Sequence, residues 1–219
     1  MKKLLTAAVL SVALSSGAFA NTGWLSSYNY TWNGNADTVY TLNGGNDPAS
    51  TIGTPVSLFN GANLGTFDWG GGSPGNDLFL NAEISAWADG GDTFSNFSLY
   101  YRVYSGSPSG SFTQLSASSI NNFGGNNWRG FATGANLEAL APANGTYTVE
   151  TYLSRSHTWT GGGPFTTYLT TAGDTGGTVP TGDYFTASFT VVPEPSTYAL
   201  LSLAAAGFGA HLWRRRARK

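Results

Sequence analysis

A single histidine, His157, stands between residues 21 and 192 of this 219-residue chain, and there is no cysteine anywhere. A Ser-His-Asp or Cys-His arrangement would have to run through His157, and thiolate metal sites and disulfide staples are excluded. Gly71-Gly72-Ser73-Pro74-Gly75 matches G-x-S-x-G, the turn that presents a hydrolase serine. The residue after that serine must donate its backbone N–H to the oxyanion hole, and Pro74 has none, so the stretch reads as a surface turn. Glu83, Glu138 and Glu150 are the carboxylates from which a glycosidase pair could be drawn. Glu83 and Glu150 fall on the polar faces of alternating segments, where isolated carboxylates serve solubility. No catalytic residue is assigned, and the body is expected to be non-enzymatic.

Binding chemistry has two local candidates. Trp128, beside Asn127 and Arg129, and Trp159, in HTWTGGG, offer flat rings on which a sugar could stack while polar neighbours reach its hydroxyls. The same tryptophans would also serve a core. Asp89-Gly-Gly-Asp92 and Asn46-Asp47 bring oxygen ligands of the kind Ca²⁺ accepts. Neither has EF-hand spacing, and hairpin turns favour the same residues. No cofactor is expected, Ca²⁺ being the one metal these residues would suit.

The charge distribution narrows the partners. From residue 21 to 192 there are three basic side chains, Arg102, Arg129 and Arg155, against eleven acids, a net charge of −8. Such a body is repelled by polyphosphate, so nucleic acid is not an expected partner.

The elements that must carry these residues are strands. Leu78, Leu80, Ala82, Ile84 and Ala86 alternate with Asn81, Glu83 and Ser85, which is the period of a strand with one buried face. Phe97, Leu99, Tyr101 and Val103 repeat the pattern, as do Tyr147, Val149 and Leu153, then Phe185, Ala187, Phe189 and Val191. Weaker strands are expected over 37–42, 63–69, 111–115 and 127–133. Turn formers such as NGGNDP, ADGGD, SGSPSG and TGGGP lie between them. The expected fold is all-β, a single antiparallel β-sandwich over residues 21–192. LEALAPANGTYTVETYL resembles the corner before a late strand of immunoglobulin-like and fibronectin type III-like domains. That resemblance implies a Tyr147 hydroxyl bonded back to the backbone. A jelly roll remains the alternative sandwich.

Both ends read as addresses. Lys2 and Lys3, an apolar run from Leu4 to Leu14 and Ala18-Phe19-Ala20 have the order of a signal peptide, residues 1–20, cleaved by signal peptidase after Ala20. At the other end a segment of 193–219 is set apart. Val192 and the Pro193-Glu194-Pro195 motif precede an uncharged run, 197–213, expected as a transmembrane helix, and a basic tail, 214–219, led by Arg214, Arg215 and Arg216. The run spans roughly 26 Å as a helix against about 30 Å of bilayer core. The basic tail would hold the C-terminus in the cytoplasm and the body outside.

Pro-Glu-Pro, an apolar helix and an Arg cluster together resemble the PEP-CTERM sorting signal of exported Gram-negative proteins. The resemblance implies an exosortase as processing partner, transient anchoring in the inner membrane, and release to the cell surface or an extracellular matrix. A sortase signal would need L-P-x-T-G, which is absent. The body is left with two readings, a surface or matrix protein and a carbohydrate-binding module for extracellular polysaccharide.

Overall fold

The computed structural model describes residues 22–25, 27–32, 37–43, 51–69, 78–89, 92–158, 163–193 and 195–216. The signal segment, the G-x-S-x-G turn, Asn46-Asp47, Trp159 and Glu194 lie outside them.

Along the chain run β1 (Thr22–Trp24), β2 (Ser27–Trp32), β3 (Asp37–Asn43), β4 (Ser57–Leu58), β5 (Ala62–Trp69), β6 (Phe79–Ala88) and β7 (Thr93–Tyr104). There follow β8 (Thr113–Ser116), β9 (Ile120–Gly124), β10 (Asn127–Asn136), a 3-10 turn (Glu138–Leu140), β11 (Gly145–Thr158), β12 (Pro164–Thr170), β13 (Gly173–Asp174), β14 (Phe185–Pro193) and α1 (Pro195–Arg216). All eight expected strands form, and the all-β class stands.

The strands make two seven-stranded sheets. Each is organised by one long central strand. In the first, β6 pairs with β10 along one edge, and its other edge is divided between β2 and β1. In the second, β11 pairs with β7 along one edge and shares the other between β14 and β12. The purely antiparallel arrangement expected from the sequence is corrected at two places. β4 runs parallel to β3, and β5 runs parallel to β14. β3 and β4 are successive strands and β5 and β14 lie far apart in sequence, but a parallel pair in either case needs a crossover rather than a hairpin.

Side chains from both sheets enter one buried apolar cluster, with Leu80, Ala82 and Ile84 from β6 and Leu99, Val149, Leu153 and Phe189 from the second sheet. The alternation therefore identified the inward faces correctly. Asn29 Nδ2 of β2 donates to Thr151 Oγ1 of β11 at 3.2 Å, tying the inward faces together. The bond expected of Tyr147 is present, its hydroxyl donating to Ala143 O at 2.7 Å and accepting from Ala143 N–H at 3.1 Å.

The outward faces differ from expectation. Asn81, Glu83, Ser85 and Glu150 are buried, not solvated. The segment after residue 50 is the cause on the first sheet, where Thr51 N–H donates to Glu83 Oε2 at 3.2 Å and Ile52 packs on Tyr28, Tyr30 and Val39. On the second sheet a ring cluster serves instead, with Tyr100 stacked on Tyr152 at 4.6 Å and Phe112 edge-on to Tyr152 at 4.9 Å.

Candidate functional site

The carboxylates Glu83, Glu138 and Glu150 lie on different elements, and His157 shares β11 with Glu150. Glu83 lies on the outer face of the first sheet, Glu150 on the outer face of the second, and Glu138 in the 3-10 turn. His157 is buried between Phe94, at 5.9 Å, and Phe165, at 5.8 Å. Burial holds its imidazole below the usual pKa and Arg155 adds to that, against the opposite pull of Asp92 and Asp174. Asp89 Oδ1 accepts from Asn126 Nδ2 at 3.1 Å, as a turn residue would. Among the described residues no group of three or more His, Cys, Asp or Glu is gathered around a common point.

The three arginines of the body are all engaged in structure. Arg102 pairs with Glu150 at 2.6 Å and lies 4.6 Å over the Phe112 ring; Tyr104 donates to the same carboxylate at 2.8 Å. Arg129 pairs with Glu83 at 2.9 Å and lies 4.4 Å over Phe123. Arg155, 1% exposed, pairs with Asp174 at 3.0 Å, donates to Thr167 Oγ1 at 2.7 Å and lies 4.8 Å over Trp24. Each guanidinium thus has both an anion and a ring face, the two partners its planar fork suits.

That arrangement bears directly on the sugar-binding candidates. Trp128 and Arg129 are adjacent on β10, and successive strand side chains point to opposite faces. Trp128 turns inward, edge-on to Phe94 at 6.1 Å and packed against the core, while Arg129 turns outward to Glu83. The two do not share a face, and Trp159 lies outside the described residues.

A different concavity was missed by the sequence reading. On the outer face of the first sheet, Tyr30, Asp37, Phe79, Asn81, Thr133 and Gly134 line a cleft of about 360 Å³. No local motif marks it, because β2, β3, β6 and β10 each contribute. The signal that would have exposed half of it is Asn33-Gly34, a hairpin dipeptide between SYNYTW and DTVYTL.

The C-terminal segment is the other candidate. Val192 and Pro193 still belong to β14, pairing with Asp68 and Trp69 of β5, so the body's last strand runs directly into the Pro-Glu-Pro motif. Pro195 opens α1, where a fixed φ suits the first turn and a missing N–H costs nothing. Leu200, Leu201, Leu203, Phe208 and Trp213 are 63–76% exposed, so α1 is not seated in the body's core. Residues 191–216 match the family described as the PEP-CTERM protein-sorting motif. This chain carries the PEP-CTERM sorting signal. The signal is that of export and exosortase sorting by way of the membrane. No curated protein and no solved structure matches the chain.

One expectation about the PEP-CTERM segment is corrected. The helix forms, two residues earlier and three later than expected. However, no helix among the described residues is long and apolar enough to cross a membrane. The reason is composition. Ser202, Gly207, Gly209 and His211 dilute the apolar run, and Pro195 to Tyr198 at its start add no aliphatic side chain.

Proposed function

We propose that residues 21–192 form a non-catalytic domain, its two sheets stacked as a sandwich, that is displayed at the cell surface or in an extracellular matrix once the PEP-CTERM tail has been processed. The observation that carries this reading is the match at 191–216 on a helix whose Leu200, Leu201, Leu203, Phe208 and Trp213 are exposed. The scatter of His157, Glu83, Glu138 and Glu150 over different faces supports a body without catalysis. Processing near Pro193-Glu194-Pro195 would leave most of the β14 ladder with β11 and β5 in place, so the mature domain would keep its core.

The test is the intact mass of the protein recovered from its producing cell. The expected species begins after Ala20 and ends near the Pro-Glu-Pro motif. A mature chain that retains every residue through Lys219 would overturn the processing step.

A further inference from the structure

The sorting motif sits where two elements meet with almost no chain between them. β14 ends at Pro193 and α1 begins at Pro195, so one residue separates a strand from a helix. A protease takes its substrate as extended backbone, and even six residues at roughly 3.3 Å each need about 20 Å of free chain. That length has to be drawn from β14 or from α1. The two sides differ in what holds them. Val191 lies between two strands, opposite Gly145 of β11 and Phe67 of β5. Phe189 and Val191 are 0% and 1% exposed in the common core, so withdrawing them loses buried apolar area as well as ladder hydrogen bonds. Val192 and Pro193 add pairs with Asp68 and Trp69 of β5. On the other side α1 opens with Pro-Ser-Thr-Tyr, residues 195–198. Proline has no N–H, and those of Ser196 and Thr197 have no partner within a helix, so this turn is held through its carbonyls. Serine, threonine and tyrosine are weak helix formers, and no acidic residue stands in the turn to complement the helix dipole.

We propose that α1, and not β14, yields to the processing enzyme: the turn 195–198 unwinds to supply the extended chain, and the scissile bond lies within 193–198. Hydrolysis there breaks one peptide bond and consumes one water, leaving a carboxylate on the body and an amine on α1. The sheet stays closed while this happens, because the cheaper opening is a local one at a helix end. β14 thereby sets the C-terminus of the mature chain, since its pairing with β11 and β5 keeps every bond before Pro193 out of reach. This inference rests on the processing reading and adds which element gives way.

The experiment follows the full chain in its producing cell by pulse labelling and takes the intact mass of the released product. Asp68 and Val192 are register neighbours, and adjacent strands lie about 4.8 Å apart, within disulfide range. The chain has no cysteine of its own, so D68C/V192C is oxidised to a single cross-link that the precursor's mass verifies. The cross-linked precursor should be processed as fast as the parent and the reduced variant, because β14 need not move. S196A/T197A should slow processing and S196G/T197G hasten it, about tenfold apart, since cleavage follows the population of the open turn. The released chain should end at a residue from Pro193 to Thr197. Arrest of the oxidised precursor with the reduced one processed would overturn the proposal. So would a product ending before Pro193, or equal rates in the alanine and glycine variants, which test the turn even where the cross-link fails to form. A parent chain that is never cut would overturn the processing reading and this inference together.

Discussion

Tyr147 shows how one hydroxyl can hold a strand entry. It donates to Ala143 O and accepts from Ala143 N–H, so a single side chain satisfies both backbone groups of a residue four positions earlier. Tyr184 repeats the reach into β14, donating to Pro180 O at 3.0 Å. Tyr147→Phe keeps the ring stacked on Phe189 and removes only the oxygen, so it should lower stability by about 1–3 kcal/mol in urea denaturation with an unchanged slope. A loss below about 0.3 kcal/mol would mean that water replaces the hydroxyl without cost. Tyr147 was legible because Gly-Thr-Tyr enters an alternating segment, whereas Tyr184 has the same geometry without the signature. The arginine pairs were not legible either. Arg102 and Glu150, or Arg129 and Glu83, are joined by strand pairing over more than forty residues of chain, and no local spacing encodes such contacts.

At the scale of elements, period-two alternation located β6, β7, β11 and β14 because each has a face in the common core. It misjudged their other faces, because the burial of Glu83 depends on Thr51 and Ile52, and that of Glu150 on Arg102 and Tyr104. β2 escaped notice for a related reason. Ser27 to Thr31 is buried on both faces, so polar Asn29 and Thr31 stand inward and the pattern carries little hydrophobic contrast. Where β10 crosses β7, Gly130 is required by space rather than by backbone angle. A Cβ there would meet the Phe97 ring at 2.9 Å, Ser119 O at 2.9 Å and Ala117 Cβ at 3.2 Å. The backbone oxygen cannot rotate away. Gly130→Ala should therefore cost about 1–3 kcal/mol despite alanine's better strand entropy, read as a lower midpoint in thermal or urea unfolding. An alanine variant as stable as the parent would show that the Ser119 segment yields freely.

For the whole molecule, the same burial that builds the outer faces fixes how stability depends on pH. Burial is the leading cause that raises Tyr30 and Tyr104 to about 12, carries Tyr152 higher, and lifts Tyr40, Tyr100 and Tyr101. An unfolded tyrosine ionises near pH 10, so above that the unfolded chain releases protons that the folded chain keeps. Their contribution is complete below about pH 10 and is lost as pH climbs through the folded values. Arg155 opposes this, since burial lowers it to about 10 and the unfolded guanidinium holds its proton longer, but it is one group against six. At the acid end the sign reverses through His157. Its folded value lies below the ordinary imidazole, so below about pH 6.5 the unfolded chain takes up the proton first and stability falls as pH falls. Melting temperature against pH should therefore be flat from about pH 7 to 9, drop steeply beyond 10, and decline more gently below 6.5. His157→Phe should flatten the upper part of the acid limb, because a ring packed between Phe94 and Phe165 carries no proton to lose. It should leave the alkaline limb untouched. An alkaline limb that moved with H157F, or one that began below pH 9, would mean that the buried phenols do not set it.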